Sequence, residues 1–240
     1  MSIDRLWHSE RLNQVINLAR WGEIGVPVLV FPTAGGDAWE IEDRGLIGAL
    51  SPLLAAGQIK VYSVDSISGQ SWLRHDPPQH SMWLQNQFDA CIREEVVPAI
   101  RADCNSDSIE IISAGASVGA FWAIEVLSRH PDVFKGAIAM SGTFDFTEWR
   151  AGEWSDDFYF SSPLDFLPNL EGETLDRLRS RYVVLASGAG DFEDPNESWR
   201  MAKILGAKGI PNRVDIWSKD HPHDWATWHE MLPLYLDDLV

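Results

Sequence analysis

Basic side chains are scarce in this sequence. Lysine and arginine together number 19 against 36 aspartates and glutamates, and the formal net charge at pH 7 is -17. No cluster of basic residues offsets this charge, and a negative field repels nucleic acids and anionic membrane surfaces. The sequence therefore predicts no nucleic-acid partner and no membrane partner, and we interpret the acidic excess as a solubilising surface.

Cysteines, long apolar runs and cofactor fingerprints are also few or missing. With only Cys91 and Cys104, the chain has neither a disulfide framework nor a CxxC metal site. The N-terminus lacks the apolar core of a signal peptide, and no run approaches the ~20 apolar residues of a membrane span, so we expect a cytoplasmic protein. Because no P-loop or G-x-G-x-x-G fingerprint occurs, we expect no cofactor.

Strands and helices alternate along the chain. Apolar runs rich in valine and isoleucine, typical of strands covered on both faces, occupy segments 26–32, 59–65, 108–115, 134–142, 182–191 and 213–218. Helical periodicity occupies segments 88–100, 118–129, 198–207 and 225–239. Looser alternation near the N-terminus predicts antiparallel strands at a sheet edge. We therefore predict one α/β domain over residues 1–240, with a mostly parallel central sheet and helices on both faces.

Residues 143–170 interrupt this alternation. The segment holds eight aromatic residues and few helix or strand signals, and it follows the fourth of the six predicted strands. A long connection at the carboxyl ends of parallel strands is where a binding site is walled. Aromatic residues in such a connection also serve to cover a sheet edge. We predict an insertion near the active site.

The stretch "SAGASVGAFW" places Ser117 between two glycines at the junction of a predicted strand and a predicted helix. This is a G-x-S-x-G pattern in the strand–turn–helix context in which the serine hydroxyl is exposed above the sheet edge. The N–H of Val118 would then face an oxyanion at the positive end of the helix dipole. We predict Ser117 as a nucleophile, although a tight turn without chemistry has the same composition.

A serine nucleophile needs a base, which follows it in the order Ser, acid, His in this fold. The stretch "SKDHPHDWATWHEM" places His221 and His223 between the last predicted strand and the last predicted helix. His221 is restricted by the proline after it, so we predict His223 as the base. The cluster "DHPHD" also contains metal-ligating residue types, but its spacing is not that of a regular metal site, and we predict no metal.

The acid and the second oxyanion donor are less sharply specified. The fifth of the six predicted strands leads into "SGAGDFED", which contains three acids: Asp191, Glu193 and Asp194. Asp191 is the first acid after the turn and is predicted to orient the imidazole. An early strand ends in "FPTAGGD", where the backbone N–H of Ala34, or alternatively that of Gly35, would be the second donor.

These motifs together resemble those of the putative esterase family of α/β hydrolases. The family includes esterase D-type S-formylglutathione hydrolases, feruloyl esterases and mycolyltransferases, and the chain looks most similar to a poorly characterised bacterial branch. The resemblance covers almost the whole chain and is carried by "PVLVFPTAGG", "GASVGAFWA", "HPDVFKGAIAMSG", "SGAGDFED" and "HDWATWHEML". It implies an α/β-hydrolase fold, with Ser117 matching the family's nucleophile, His223 its base and the loop of Ala34 its oxyanion loop.

The sequence departs from the family pattern in two places. Pro32 and Thr33 stand where a His-Gly dipeptide is common elsewhere in the superfamily. The acid loop of the most similar branch reads glycine, variable residue, aromatic, glutamate, which favours Glu193, whereas the superfamily spacing favours Asp191. From the sequence, both Asp191 and Glu193 are candidates for the acid that orients His223.

These motifs and the resemblance together predict a serine esterase. Ser117 would form an acyl-enzyme from a small-molecule carboxylic ester or thioester, and water would cleave it. An acyltransferase using the same residues is an alternative, and so is a non-catalytic binding protein of the same fold. The oligomeric state stays open, with a homo-oligomer as one option.

Overall fold

A mixed eight-stranded sheet forms the centre of the molecule in the computed structural model, which describes residues 3–150 and 152–240. Met1, Ser2 and Ala151, which fall within the predicted domain, lie outside the described residues. The strands are β1 (Ile3–Ser9), β2 (Gln14–Trp21), β3 (Val26–Phe31), β4 (Ile59–Val64), β5 (Ile111–Ala116), β6 (Phe134–Met140), β7 (Tyr182–Ser187) and β8 (Asn212–Ile216).

Their order across the sheet is β1-β2-β4-β3-β5-β6-β7-β8. β2 runs antiparallel to both β1 and β4, and the six strands from β4 to β8 pair in parallel. Strands β5 to β8 are consecutive neighbours, so the loops that follow them emerge side by side at one edge. The predicted mostly parallel sheet is confirmed, as is the antiparallel pair at its edge.

Helices cover both faces of this sheet. They are α1 (Glu40–Asp43), α2 (Leu46–Ala49), α3 (Ser51–Ala55), α4 (Ile67–Leu73), α5 (Pro78–Cys91), α6 (Val97–Asp103), α7 (Val118–Arg129), α8 (Asp156–Ser161), α9 (Pro163–Phe166), α10 (Gly172–Leu178), α11 (Pro195–Ala207) and α12 (Trp225–Asp237). A π-helical turn, Ile92–Val96, joins α5 to α6, and a 3₁₀ turn, Leu167–Asn169, follows α9. No helix in the described part of the chain is long and apolar enough to cross a membrane.

Alternate residues of the central strands enter two separate cores. In β3, Leu29 and Phe31 face the core beneath α5 and α7, whereas Val28 and Val30 face the core beneath α12. Trp122 of α7 contacts Phe31, with ring centroids 6.2 Å apart. Burying a large side chain of this kind contributes roughly 1.5–3 kcal/mol, so these two cores hold the sheet between its helical layers.

The segment 143–170 contains more regular structure than its composition suggests. Helices α8 and α9 and the 3₁₀ turn occupy much of its second half. Ser155 caps α8 by accepting a hydrogen bond from the N–H of Phe158 at 3.2 Å, and Pro163 begins α9. These helices are only four to six residues long, so their apolar periodicity is too short to be read from sequence.

A buried ion-pair cluster fastens the end of α6 to the sheet. The carboxylate of Asp103 lies 2.6 Å from Lys60 Nζ and accepts a 2.7 Å hydrogen bond from the Tyr62 hydroxyl, while Arg20 Nη1 lies 3.3 Å away. Burial of this carboxyl opposes its ionisation, but the contacts with Lys60, Tyr62 and Arg20 outweigh it and lower the pKa of Asp103 to about 2.

This cluster predicts acid-dependent stability. Because the pKa of Asp103 is lower in the folded chain than its ordinary value of 3.8, its contribution is present above about pH 4 and disappears as the pH falls towards 2. Across this interval, the free energy of unfolding of the wild type should fall by about 2 kcal/mol more than that of Asp103→Asn. Urea unfolding at pH 5, 4, 3 and 2 measures it, with the exposed Asp176→Asn as control. Parallel curves for wild type and Asp103→Asn would contradict the assignment.

Candidate active site

Ser117 occupies a strained turn between β5 and α7. Its backbone angles are φ 56° and ψ −122°, a region that non-glycine residues rarely enter. The N–H of Ser117 donates to the carbonyl of Met140 at 3.0 Å, and its own carbonyl accepts from the N–H of Thr143 at 3.3 Å. The turn is therefore fixed by the strand that neighbours β5 and by the loop that follows that strand.

The two glycines around Ser117 are required by close backbone approach. A Cβ atom on Gly115 would lie 2.3 Å from the carbonyl carbon of Gly119, and one on Gly119 would lie 2.6 Å from the carbonyl oxygen of Phe31. These neighbours are backbone atoms, which cannot rotate away as a side chain could. The small residues that prompted the prediction of a sharp turn thus allow α7 to start directly against β3.

Two backbone N–H groups are available beside this turn. Val118 is the first residue of α7, and Ala34 lies in the loop after β3. Neither N–H has a hydrogen-bond partner among the described residues. Donors of this kind can stabilise an oxyanion without reorganising. The structure therefore leaves both donors that the sequence predicts free for a ligand.

The loop of Ala34 is held by carboxylates. Glu40 accepts hydrogen bonds from the N–H of Thr33 at 2.8 Å and from its hydroxyl at 2.7 Å. Asp65 accepts from the N–H of Ala38 at 3.0 Å. Thr33, which replaces the histidine-glycine pattern together with Pro32, thus anchors the loop. We infer that this anchoring makes the loop a preformed element of the site.

His223 lies in the loop between β8 and α12. Its backbone N–H donates to the carbonyl of Asp191 at 2.9 Å. Its imidazole ring stands edge-on to the indole of Trp228, with ring centroids 5.2 Å apart. Asp224 then caps α12 by accepting from the N–H of Thr227 at 3.1 Å. The histidine is thereby positioned from both sides at the end of the sheet where Ser117 lies.

Glu193 is the carboxylate that faces this histidine. Its Oε1 lies 3.7 Å from His223 Nδ1, and its side chain is only 1% exposed. Ser141 Oγ donates to the same oxygen at 2.5 Å, and Ser187 Oγ donates to Oε2 at 2.9 Å. Burial opposes ionisation of this carboxyl, but the imidazole and the two hydroxyls outweigh it, and the pKa of Glu193 is below its ordinary value.

Ser141 and Ser187 were not anticipated from the sequence. Each lies at the carboxyl end of a strand, with Ser141 directly after β6 and Ser187 at the end of β7. Ser141 has a φ of 49° and also accepts a 3.0 Å hydrogen bond from Trp228 Nε1. Their signal in the sequence is their place, since polar residues at consecutive strand ends converge on one edge.

The remaining candidates are placed away from the imidazole. Asp191 is exposed, and among the described hydrogen bonds and ion pairs only its backbone carbonyl is joined to His223, so the acid expected from the spacing is not the one that faces the imidazole. Asp194 caps α11 by accepting from the N–H of Asn196 at 3.0 Å. His221 Nδ1 lies 3.0 Å from Ser218 Oγ. Of the acids, the structure brings Glu193 alone to His223.

Two further points complete the geometry. Among the hydrogen bonds of the described residues, none joins Ser117 Oγ to His223, although both residues lie at the same edge of the sheet. Such contacts are often long before a ligand is bound. In residues 3–150 and 152–240, no group of three or more histidine, cysteine, aspartate or glutamate side chains is arranged to hold a metal.

The close approach of α7 to β3 predicts opposite effects for two helical glycines. Gly119→Ala forces its Cβ against two backbone carbonyls and should lower the free energy of unfolding by roughly 1–3 kcal/mol. Gly206→Ala, on α11, places its Cβ in open space and should raise that free energy by up to about 1 kcal/mol. Urea denaturation compares the two, and equal effects would contradict the packing described for Gly119.

This order of strands, with a serine turn after the central β5 and a histidine after the last strand, defines an α/β-hydrolase fold. A family model described as "Putative esterase" matches residues 69–238. The chain therefore belongs to the putative esterase family, which places it among the carboxylic ester hydrolases. The resemblance inferred from the sequence is confirmed, whereas no curated protein sequence matches this chain.

Solved structures share the fold at low sequence identity. A ferulic acid esterase superposes with a TM-score of 0.76 at 15% identity, covering 100% of this chain and 97% of its own. An S-formylglutathione hydrolase from Agrobacterium tumefaciens gives 0.71 at 13% identity, covering 100% and 92%. The fluorophosphonate-binding serine hydrolase F of Staphylococcus aureus gives 0.67 at 16% identity, covering 100% and 98%. Identities this low establish the fold alone.

Proposed function

We propose that this protein hydrolyses small-molecule carboxylic esters or thioesters through an acyl-enzyme on Ser117. The observation that carries the proposal is the strained turn of Ser117 at φ 56°, beside two unpartnered backbone N–H groups. Strain of this kind costs on the order of 1–3 kcal/mol and persists where a function uses it. The imidazole of His223, backed by a buried carboxylate, lies at the same edge and supplies a base.

The proposed reaction consists of two half-reactions that use the same groups. The Ser117 hydroxyl attacks the substrate carbonyl while His223 takes its proton, and the N–H groups of Ala34 and Val118 bind the resulting oxyanion. The tetrahedral intermediate then collapses, the carbon–oxygen or carbon–sulfur bond breaks, and the imidazolium protonates the departing alcohol or thiol. Water repeats the sequence on the acyl-enzyme, which releases the acid and restores the Ser117 hydroxyl.

Glu193 is the acid of this proposal. Its carboxylate faces Nδ1 of His223, so that the opposite ring nitrogen is left for the serine proton. A buried carboxylate there fixes the tautomer and stabilises the imidazolium. The side chain of Asp191 is exposed and has no such geometry. The glutamate of the most similar branch's loop pattern is thus supported over the aspartate that the superfamily spacing favours.

The nucleophile is tested by covalent labelling. We expect a fluorophosphonate probe to label the wild type on Ser117 and to leave Ser117→Ala unlabelled, with kcat for p-nitrophenyl acetate reduced by a factor on the order of 10⁴ or more. The exposed Ser108→Ala is the matched control and should be labelled like the wild type. Intact-protein mass spectrometry reports the label, and circular dichroism the fold. Labelling of the Ser117→Ala variant would contradict the proposal.

The acid is tested by a pair of isosteric substitutions. Glu193→Gln should lower kcat by a factor on the order of 10³–10⁴, since an amide no longer stabilises the imidazolium or selects its tautomer. Asp191→Asn should stay within about threefold of the wild type, because a solvated carboxylate contributes little. Steady-state kinetics on one p-nitrophenyl ester decides between them. A larger loss for Asp191→Asn would return the role to that residue.

A further inference from the structure

The first part of the aromatic segment lies against the serine turn. We call residues 143–150 the aromatic strap. At its start, Thr143 donates its N–H to the carbonyl of Ser117 at 3.3 Å. Phe146 then packs on Phe121, which lies four residues after Ser117 on α7, with ring centroids 4.7 Å apart. The strap therefore covers the turn and the first helical turn that follows it.

Phe146 belongs to a cluster of four aromatic rings. Its centroid lies 5.8 Å from that of Trp72 and 5.6 Å from that of Trp149. Trp72 lies on α4, and the residue before that helix, Ser66, donates its backbone N–H to Gly36 in the oxyanion loop at 3.1 Å. The cluster thus connects the strap to α4 and, through α4, to the loop of Ala34.

One carboxylate fixes the strap in this place. Glu197 Oε2 accepts the N–H of Phe144 at 2.7 Å and the N–H of Asp145 at 2.9 Å. Its side chain is 13% exposed, and Arg200 contacts both its Oε1, at 3.4 Å, and the carboxylate of Asp145. The strap begins with three backbone N–H groups that bond to the rest of the fold. That of Thr143 donates to Ser117, and those of Phe144 and Asp145 donate to Glu197.

We propose that Glu197 is a positioning residue for substrate selection, which holds the aromatic strap as the wall that a bulky acyl group on Ser117 contacts. The inference rests on the proposed function. In this proposal an acyl group bound by Ala34 and Val118 extends toward the strap, because Phe146 packs on Phe121 in the first turns of α7 and Trp149 packs on Phe146 while staying partly exposed.

The space behind this wall is too small to receive the acyl group itself. The cavity among Trp72, Phe121, Phe146 and Phe158 has a volume of about 20 Å³, which is room for about one water molecule. A group larger than acetyl therefore lies along the strap rather than beneath it. We therefore expect the binding of such a group to depend on the position of the strap more than the binding of an acetyl group does.

Glu197 lies in the first turn of α11, and Glu193 lies in the loop just before that helix. Asp194 caps α11 between them, so the same loop-to-helix junction carries the acid that faces His223 and the carboxylate that holds the strap. Substitution at Glu197 must therefore be separated from a general disturbance of the acid. The separation is possible because a displaced acid lowers kcat for every ester, whereas a displaced wall raises KM for bulky ones.

The test compares Glu197→Ala and Glu197→Gln on p-nitrophenyl acetate and p-nitrophenyl benzoate. We expect Glu197→Ala to raise KM for the benzoate by roughly tenfold, with kcat and the acetate KM within about threefold of the wild type. Glu197→Gln keeps an acceptor oxygen for both N–H groups and should be milder. Glu173→Ala, which removes an exposed glutamate on α10, is the control and should match the wild type.

Hydrogen exchange supplies a readout that does not need turnover. The amides of Phe144 and Asp145 should exchange faster in Glu197→Ala than in Glu197→Gln or the wild type. Equal losses for the two esters, a loss confined to kcat, or unchanged exchange at these amides would each overturn the role of Glu197. Failure of the proposed function would be visible separately, as a wild-type protein that neither hydrolyses the acetate nor accepts the fluorophosphonate label.

Discussion

The backbone of Ser117 is held in a conformation that a serine rarely adopts, and the arrangement of the site depends on that constraint. The strain, on the order of 1–3 kcal/mol, is opposed by the packing of β5 between β3 and β6 and by the hydrogen bonds that join Ser117 to Met140 and Thr143. Because Gly119 approaches the carbonyl of Phe31, α7 begins directly above the sheet. The hydroxyl of Ser117 and the N–H of Val118 are consequently fixed by the core rather than by a flexible loop.

A second constraint is electrostatic. The chain carries 36 acidic side chains, yet the carboxylate of Glu193 is almost wholly buried. Removing an ionised carboxylate from water costs several kcal/mol unless hydrogen bonds replace its hydration. The hydroxyls of Ser141 and Ser187 supply those bonds, and the indole of Trp228 holds Ser141 in turn. The residue after β6, the end of β7 and helix α12 thus each contribute a group that fixes the Glu193 carboxylate.

Local sequence signals were sufficient for the parallel core and for the position of the serine. The strand–turn–helix around Ser117 and the loop of His223 could be predicted because strand and helix patterns directly on either side of them mark where one element ends and the next begins. The short helices α1, α2, α8 and α9 were not predicted, because four to six residues hold too little periodicity and their stability comes from tertiary packing. Glu197 was missed for a related reason: the N–H groups it binds are more than fifty residues away along the chain.

The two candidate acids, Asp191 and Glu193, differ in their surroundings in a way that their spacing in the sequence does not reveal. The loop after β7 packs on the loop after β8. Ala189 and Gly190 donate their backbone N–H groups to the carbonyls of Ser218 and His221 at 3.3 and 3.1 Å, and a Cβ on Gly188 would lie 1.9 Å from the carbonyl oxygen of His221.

With the two loops in such contact, the backbone of Asp191 is already bonded to the N–H of His223, and its side chain is directed to solvent. Phe192 follows with a left-handed φ of 64°, and the side chain of the next residue, Glu193, is buried beside the imidazole. Asp191 therefore contacts the loop of His223 through its backbone carbonyl, and Glu193, two residues later, is the acid whose carboxylate faces the imidazole.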